Sequence, residues 1–346
     1  MGQVKIGVIG AGWWAAEHIV PVLQSHPNAK VVGACRLGKP ELEQLRERFK
    51  IPFVTENFEE LLDQNLNAVV VSSPHNFHYQ HAKAALDRGL HVLCEKPMVL
   101  HAEQARDLAS EAKAKALHFL IPYGWNYMDI SIRAKEIIDR GEVGTIEHVH
   151  CHMASPHRDL FNGQPTWWAE HSLFQPLAST WSDPATGGGF LHGQLTHTLG
   201  LMFYLTDLQP AEVFALTANF DSGADRSNSI SCRFTNGATG NFGGTATMPP
   251  RSTYQIDIRI FGSEGMLLLD VERPRLELRR KNETGETIAL KMSPGEYTCV
   301  EPYNTWIGLI RGESRENRSS GAVGVRVVEV LDAAVRSAKS RSLEAV

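Results

Sequence analysis

The chain has 346 residues, of which 42% are hydrophobic and 21% charged, and its formal net charge is -5 at pH 7. This length provides for two domains of ordinary size with a normal globular composition. Because the balance is slightly acidic and no block of like charges occurs, a nucleic-acid partner is excluded and a small-molecule partner is expected. No apolar run approaches the roughly 20 residues that span a bilayer, so no membrane partner is expected.

The first third of the sequence alternates apolar runs with helical stretches. The runs are β-branched and nearly continuous, as in buried parallel strands, and cover residues 4–10, 30–36, 68–74, 91–97 and 118–124. The stretches between them are rich in Ala, Leu, Glu and Lys and cover residues 40–49, 77–89 and 102–116. This alternation predicts a doubly wound α/β Rossmann domain, which we assign to residues 1–125.

From about residue 126 the sequence pattern changes to longer alternations of polar and apolar residues with glycine-rich turns, which are typical of antiparallel strands. We assign residues 126–346 to a second, α+β domain with a largely antiparallel sheet, whose last helix could pack back on the first domain. The least regular stretch, residues 154–186, is long for a structureless connection and is therefore a candidate binding loop. The five cysteines lie far apart without a C-x-x-C pair, which predicts reduced thiols and a cytoplasmic location.

A glycine motif follows the first predicted strand, reading G-x-G-x-x-A at Gly10, Gly12 and Ala15. Gly10 allows a tight turn, Gly12 allows the backbone to approach a pyrophosphate, and Ala15 allows close helix packing. The pyrophosphate would lie at the positive end of the following helix. The alternative is a glycine-rich turn without a ligand. Trp13, inside the motif, either contacts the cofactor or packs at the domain surface.

The second predicted strand ends in Cys35 and Arg36, about 20 residues beyond the motif, where a carboxylate would bind the ribose of NAD. Without a carboxylate at that position, Arg36 could pair with a 2'-phosphate. NADP is therefore the preferred cofactor and NAD remains possible. In the alternative, Arg36 lies over the adenine of NAD.

The triplet Glu-Lys-Pro in CEKPM (94–98), after SSPHNFH (72–78), resembles the Gfo/Idh/MocA family of glucose–fructose oxidoreductase and inositol dehydrogenase. The glycine motif, the GGGFLHGQLTHT stretch (187–198), GSEGMLLLD and the last helix match as well. The resemblance implies hydride transfer between a nicotinamide cofactor and a sugar, polyol or glycoside carbon. It also implies a homodimer or homotetramer formed through the open sheet of the second domain.

Lys96 is the first candidate catalytic residue. When a hydroxyl is oxidised, its oxygen loses a proton while its carbon loses a hydride, and a cation beside that oxygen stabilises the developing alkoxide. Lys96 suits this role because it lies at the sheet edge where ligands bind. The resemblance implies that the Lys96–Pro97 bond is cis. It also places Ser73, Pro74 and Glu95 at the nicotinamide ribose, and His78 and Lys96 are further predicted cofactor contacts.

His197 is the second candidate catalytic residue, as the group that exchanges the hydroxyl proton. In the family the glycine run is usually followed by an Asp and, four residues later, a His, but here Gly193 replaces the Asp. On an α-helix, Gln194 shares a face with His197 and could orient it, whereas His192 points about 140° away. His192 is therefore either structural or reaches the substrate from the start of the helix.

Aromatic residues complete the predicted substrate contacts. Trp125 and Asn126 lie in YGWNYMD (123–129), which lacks the arginine common near position 128 in the family and thus argues against an anionic substrate. Trp168 could stack on a sugar, or it could belong to an aromatic loop core or an oligomer contact.

His148, His150 and His152 share one face of a strand, and we predict a polar sheet face or subunit contact there and no metal.

Two other functions are compatible with these residues. The missing Asp is consistent with an enzyme that oxidises a glycoside transiently with a retained cofactor and then cleaves or eliminates it. A nicotinamide-binding regulatory protein without turnover is the non-enzymatic alternative, and the presence of both Lys96 and His197 argues against it.

Overall fold

The structure is a computed structural model that describes residues 2–281, 286–288, 297 and 299–346, and over these residues the chain forms two compact units. The first unit consists of Met1–Pro122, Pro165–Thr180 and Cys299–Val325. The second consists of Tyr123–Gln164, Trp181–Thr298 and Arg326–Val346. The predicted boundary at 125/126 lies close to the first crossing. The return at Cys299–Val325 includes the first residues of the last helix, for which packing on the first domain was predicted, whereas no sequence pattern indicates the return at Pro165–Thr180.

A parallel sheet forms the centre of the first unit. Its strands, over the described residues, are β1 (Val4–Ile9), β2 (Ala29–Cys35), β3 (Phe53–Thr55), β4 (Ala68–Val71), β5 (His91–Cys94) and β6 (Phe119–Leu120). They lie in the order β3-β2-β1-β4-β5-β6 and every neighbouring pair is parallel. Ile6, Val8 and Val70 are fully buried because both faces of the sheet are covered. The predicted doubly wound α/β sheet is confirmed.

The strand order reverses between β1 and β4. In open α/β sheets, ligands bind outside the carboxyl edge at such a reversal. The chain leaves β1 at Gly10 and β4 at Ser72, and since all strands are parallel, Glu95 and Lys96 leave β5 at the same edge. The topology therefore brings the glycine motif and the Glu-Lys-Pro triplet to one side of the sheet.

The described residues form helices in both units. They are α1 (Val20–Ser25), α2 (Lys39–Phe49), α3 (Phe58–Leu62), α4 (His78–Asp87), α5 (Ala102–Ala114), α6 (Asp129–Asp139), α7 (Arg158–Phe161), α8 (Ala178–Ser182), α9 (Thr196–Leu205), α10 (Val300–Ile310) and α11 (Gly321–Ser340). The π-helices Ala15–Ile19 and Leu191–Leu195 lead directly into α1 and α9. Short 3-10 turns occur at His75–Phe77, Gly124–Tyr127, Trp167–Ala169 and Pro184–Thr186. None of the helices in these ranges has the length and apolarity that a membrane crossing requires.

A second sheet organises the second unit. Its strands, within the described part of the chain, are β7 (Ile146–Ala154), β8 (Pro210–Ala218), β9 (Ser227–Phe234), β10 (Thr239–Thr245), β11 (Gln255–Gly262), β12 (Gly265–Asp270), β13 (Arg275–Arg280), β14 (Glu286–Ile288) and β15 (Glu344–Ala345). The order is β14-β13-β12-β11-β7-β10-β9-β8-β15. Among the described strands only β7 and β10 pair in parallel, so the predicted largely antiparallel sheet is confirmed.

The stretch 154–186, predicted as an irregular binding loop, contains α7, α8 and two 3-10 turns. Its middle part, Pro165–Thr180, belongs to the first unit. The predicted loop is therefore divided between the units, and its central residues contact the nucleotide-binding motif, as the geometry below shows.

Candidate active site

The glycine motif adopts the geometry that a dinucleotide requires. Gly10 has φ 79°, and a Cβ there would clash with the main chain of Ser73, so only glycine fits this turn. A Cβ on Gly12 would meet nothing nearer than Gly10 O at 3.9 Å, which leaves open space on that side of the loop. Ala15 is fully buried at the start of the following helix. These residues fit a pyrophosphate at the helix N-terminus.

Arg36 is held at the edge of this motif. Its guanidinium carbon lies 4.0 Å from the ring centroid of Phe174, its Nη1 donates to Ala11 O at 3.5 Å, and its Nε donates to Leu37 O at 3.1 Å. Burial lowers the pKa of Arg36, and Glu41 opposes that shift. The sequence gives no sign of the contact with Phe174, because the two residues are far apart in the chain.

Carboxylates that the sequence reading missed lie around the end of β2. Burial, with Glu60 and Glu56, raises the pKa of Cys35 to about 11. Glu56 Oε1 also accepts a hydrogen bond from Gly38 N at 2.8 Å. The lack of a carboxylate at the end of β2 itself therefore does not leave the region without negative charge, since Glu41 and Glu56 approach it from α2 and from the turn after β3.

His78 joins the two loops that carry the predicted cofactor residues. Its Nε2 is 2.8 Å from Ser73 O and its Nδ1 is 2.8 Å from Pro97 O. Pro74, beside Ser73, accepts the main-chain bond that forms the 3-10 turn before α4. Both ring nitrogens of His78 face carbonyl oxygens and the side chain is fully buried, so we assign His78 to positioning these loops and not to cofactor contact.

Lys96 and Glu95 form a buried pair of opposite charges at the carboxyl edge of β5. Lys96 is 8% exposed, and the Lys96–Pro97 bond is cis, as the resemblance implies. Burial lowers the pKa of Lys96 and Glu95 opposes the shift; burial raises the pKa of Glu95 and Lys96 opposes it. Glu95 Oε1 accepts hydrogen bonds from Trp14 Nε1 at 2.9 Å and from Tyr303 OH at 3.3 Å. Each charge therefore helps to keep the other ionised.

The helix that carries His192 and His197 is not α-helical throughout. Leu191–Leu195 is a π-helix, in which hydrogen bonds join residues five apart, and α9 begins only at Thr196. The assumption of 100° per residue, on which His192 points away from His197, therefore does not hold here. His192 and His197 are five residues apart, and both are buried.

The glycine run before this helix packs against protein. A Cβ on Gly188 would lie 2.7 Å from Trp181 O, and a Cβ on Gly189 would clash with Oδ1 of Asp225. Asp225 Oδ2 accepts a hydrogen bond from Leu191 N at 3.1 Å, and burial raises the pKa of this carboxyl to about 6. The glycines of this run are therefore explained by close packing inside the protein, and Asp225 is a residue that the sequence does not indicate.

Aromatic rings surround His197 in the second unit. The imidazole centroid lies 5.1 Å from the ring of Trp125, 5.2 Å from Tyr297 and 6.3 Å from Tyr123. Two buried polar atoms have no hydrogen-bond partner among the described residues: Nε1 of Trp125, which belongs to this cluster, and Oε1 of Gln194, which is three residues before His197 in the chain. They can serve a substrate hydroxyl as donor and acceptor.

Two of the predicted substrate residues have other surroundings. Asn126 is fully buried, and its Nδ2 donates to Gly200 O at 3.3 Å, which ties the 3-10 turn Gly124–Tyr127 to α9. Trp168 lies in the first unit, with its ring centroid 4.8 Å from that of Trp13. Asn126 thus has a structural position, and Trp168 is a neighbour of the nucleotide motif.

Comparison with known proteins agrees with this geometry. Residues 4–122 match the model of an oxidoreductase family with an NAD-binding Rossmann fold, and residues 131–268 match the GFO/IDH/MocA C-terminal domain. The chain belongs to the Gfo/Idh/MocA family. The family resemblance of the sequence motifs is confirmed.

Curated Gfo/Idh/MocA relatives include sugar dehydrogenases. The chain is 32% identical over 215 residues to D-xylose 1-dehydrogenase (NADP(+)) of Hypocrea jecorina, a match that covers 59% of this chain and 52% of that protein. It thus spans about half the length of the first curated relatives it matches. It is 24% identical to levoglucosan dehydrogenase of Pseudarthrobacter phenanthrenivorans over 99% of this chain and 98% of that protein.

Solved structures share the fold along the whole chain. An oxidoreductase domain protein from Kribbella flavida superposes with a TM-score of 0.81 at 22% identity, covering 100% of both chains. Levoglucosan dehydrogenase in complex with NADH and L-sorbose superposes with a TM-score of 0.77 at 21% identity, covering 99% of both. At these identities the likeness concerns the fold.

Gly193 is where this Gfo/Idh/MocA chain departs from the family pattern. A Cβ on Gly193 would lie 2.7 Å from Phe161 Cε1 and 3.4 Å from Trp181 Cζ3. Two aromatic rings therefore occupy the space that an aspartate side chain at this position would need. Where the family has an aspartate side chain, this chain has the rings of Phe161, from α7, and Trp181, from α8, packed against Gly193.

The histidine-bearing face of β7 is polar. Val149, Cys151 and Met153 are buried on the opposite face. His150 and His152 line a shallow cavity of about 230 Å³ together with Asp257, Arg259, Asp270, Glu272 and Arg273. Over the described ranges, no three His, Cys, Asp or Glu side chains are arranged to hold a metal ion.

Proposed function

We propose that this protein is an NAD(P)-dependent dehydrogenase or reductase that acts on a CH–OH group of an uncharged carbohydrate. The observation that carries the proposal is a buried lysine, Lys96, on a loop that His78 joins directly to the Ser73 loop of the nucleotide-binding edge. A cation held in this way is preorganised for charge that develops during reaction. The dehydrogenases among the relatives, named for D-xylose and levoglucosan, support the substrate class.

The roles of the side chains follow from their chemistry. When bound, the nicotinamide supplies the hydride acceptor or donor. Lys96 binds the reacting hydroxyl oxygen and stabilises its negative charge, while Glu95, fixed by Trp14 and Tyr303, orients the lysine. In the second unit His197 exchanges the hydroxyl proton.

Trp125 and Gln194 complete the proposed substrate contacts. Trp125 Nε1 donates to a sugar oxygen and Gln194 Oε1 accepts from a hydroxyl, which satisfies two buried polar atoms that otherwise cost free energy. The aromatic rings around His197 suit the C–H faces of a sugar ring. Neither contact requires a charged substrate.

A substrate survey tests the proposed function. Purified protein is incubated with NADP or NAD and with neutral aldopentoses, aldohexoses and an anhydrosugar, and reduced cofactor is followed by absorbance. We expect steady formation of reduced cofactor over many turnovers with at least one sugar. A single stoichiometric reduction without further turnover would favour the redox-assisted cleavage of a glycoside, and binding without any reduction would favour a regulatory protein.

NADP is proposed to bind more tightly than NAD, because Arg36 can reach a 2'-phosphate from the end of β2. A charge-assisted hydrogen bond contributes about 1.5–3 kcal/mol, which corresponds to roughly 10- to 100-fold in affinity, and Glu41 and Glu56 should keep the preference at the lower end. Arg36→Ala should remove most of the difference between the two dissociation constants, whereas exposed Lys39→Ala should leave it. A preference for NAD that Arg36→Ala does not change would reverse the assignment.

The proposal includes a cytoplasmic homodimer or homotetramer formed through the sheet of the second unit. All five cysteines are free thiols, and four of them are buried, which suits a reducing compartment. Leu216 and Phe214 on β8 are large apolar side chains at the surface of that sheet, and covering them in an oligomer would remove apolar area from water.

A further inference from the structure

The segment Pro165–Thr180 contacts the nucleotide-binding motif at three points, and we call it the strap. The ring centroid of Trp168 lies 4.8 Å from that of Trp13. Leu173 N donates to Glu17 Oε1 at 3.0 Å, and the ring of Phe174 lies under the guanidinium of Arg36 at 4.0 Å. Trp13 follows Gly12, Glu17 lies in the helical turn that begins at Ala15, and Arg36 directly follows β2. These are the three places where a Rossmann domain holds a dinucleotide.

The strap is anchored to the core of the first unit and is held by its own hydrogen bonds. Phe174 is 8% exposed and belongs to the apolar core of the first unit, with Leu173 packed against the same core. Gln175 Nε2 donates to Ala169 O at 2.7 Å, and Ala169 N donates to Thr166 O at 3.1 Å, so the backbone of the strap is held by its own hydrogen bonds. Ordering this chain costs conformational entropy, which the buried Phe174 offsets.

Two other strap residues are exposed to solvent. Leu177 is 60% exposed and Trp167 is 45% exposed, although both are large and apolar. The strap therefore presents Phe174, Leu173 and Trp168 to the nucleotide-binding motif and leaves Leu177 and Trp167 at the surface. This division provides matched controls within one segment.

Stacking on Phe174 restricts the guanidinium of Arg36. A ring packed on one face of the guanidinium reduces the number of conformations that the Arg36 side chain can adopt. The N–H groups lie at the edge of the guanidinium plane and remain available for hydrogen bonds in that plane. A side chain fixed before binding loses less freedom when a phosphate or an adenine binds. Phe174 thereby acts on the cofactor through Arg36 and is a positioning residue.

We propose that the strap retains the dinucleotide: Phe174 positions Arg36 for the adenosine half of the cofactor, and Trp168 covers the motif at Trp13. This inference rests on the proposed function, since it requires a nicotinamide dinucleotide at the glycine motif. It adds that the strap, which lies in the sequence between two segments of the second unit, determines how long the cofactor stays bound.

The test is the dissociation rate of NADPH and NADH, measured by displacement in a stopped-flow fluorimeter. Phe174→Leu removes the ring and keeps an apolar side chain, and we expect it to release NADPH about 10-fold faster. Phe174→Tyr should restore the wild-type rate, and Trp168→Ala should release both cofactors faster. Leu177→Ala and Trp167→Ala should release them at the wild-type rate. Wild-type rates for both Phe174→Leu and Trp168→Ala would overturn the proposal.

A double-mutant cycle separates positioning from general loosening. In an Arg36→Ala background, Phe174→Leu should change the NADPH dissociation rate little, because the residue through which Phe174 acts is absent. An equal effect of Phe174→Leu with and without Arg36 would contradict the positioning role. Hydrogen exchange on the wild-type protein needs no variant: amides of residues 165–180 should exchange more slowly with NADPH bound, and an unchanged exchange rate would count against the strap.

Different results would contradict the proposed function and the role of the strap. If wild-type protein binds neither NADPH nor NADH, the proposed function fails and the strap fails with it. If the wild-type protein binds and turns over the cofactor while the strap variants release it at the wild-type rate, only the present inference fails.

Discussion

Replacing Lys96 with methionine is expected to lower turnover about 10²-fold or more while cofactor affinity stays close to that of the wild type. Methionine keeps the length of the buried stem and removes the charge, so the loss is that of one preorganised group that stabilises the alkoxide. The measurement is kcat with saturating sugar and cofactor, together with the dissociation constant of NADPH.

Glu95 complicates this variant, because removal of Lys96 leaves a buried carboxylate without its neighbouring cation. Lys96→Met combined with Glu95→Gln removes both charges and should show the same low turnover if the lysine is the catalytic group. Lys30→Met, at an exposed position, is the control for the substitution itself. Near-normal turnover in Lys96→Met would remove this residue from the mechanism.

His197→Asn is expected to lower turnover about 10²- to 10⁴-fold, the range for the loss of a general acid–base group. Oxidation needs the neutral imidazole, so activity should fall as the pH falls through the imidazole pKa, and the variant should lose this acid limb. The measurement is the pH profile of kcat/KM for oxidation, after cofactor binding has been confirmed.

Asp225 provides the necessary control for that profile. Its carboxyl has a pKa raised to about 6 by burial, and it caps the helix that carries the histidine, so its protonation could also produce an acid limb. Asp225→Asn keeps an oxygen acceptor for Leu191 N. An acid limb that persists in this variant and disappears in His197→Asn assigns proton transfer to His197, and the reverse result would assign the limb to Asp225.

Gly193→Asp, which would restore the family carboxylate, is a poor probe of the histidine. Phe161 and Trp181 fill the space beyond Gly193, so an aspartate there has to displace a ring. A change in its pH profile would report that displacement together with any effect on the imidazole. The substitution becomes informative only beside Phe161→Ala, which opens the space.

The first unit was largely predictable because its sequence signals are local. Continuous apolar runs gave five of its strands, and the spacing of Gly10, Gly12 and Ala15 marked the turn into the first helix. Strand β3 has only three residues, too few for a periodic signal, and does not follow from the sequence.

The site residues that were not predicted from the sequence are those that contact distant parts of the chain. Phe174 reaches Arg36, Tyr303 reaches Glu95 and Asp225 reaches Leu191, and nothing in the neighbouring sequence indicates these partners. The π-helix at Leu191–Leu195 was not predicted for another reason, since a single π-helical turn leads directly into an α-helix and no residue pattern in the sequence marks it.

Hydride transfer from a carbohydrate carbon is the central claim, and isotope transfer measures it directly. Neutral sugars with deuterium on every carbon are incubated with the enzyme and NADP or NAD, and the reduced cofactor is analysed by mass spectrometry. We predict one deuterium in each molecule of reduced cofactor, formed over many turnovers and strongly suppressed in Lys96→Met. Reduced cofactor without deuterium, or no reduced cofactor with any neutral sugar, would contradict the account.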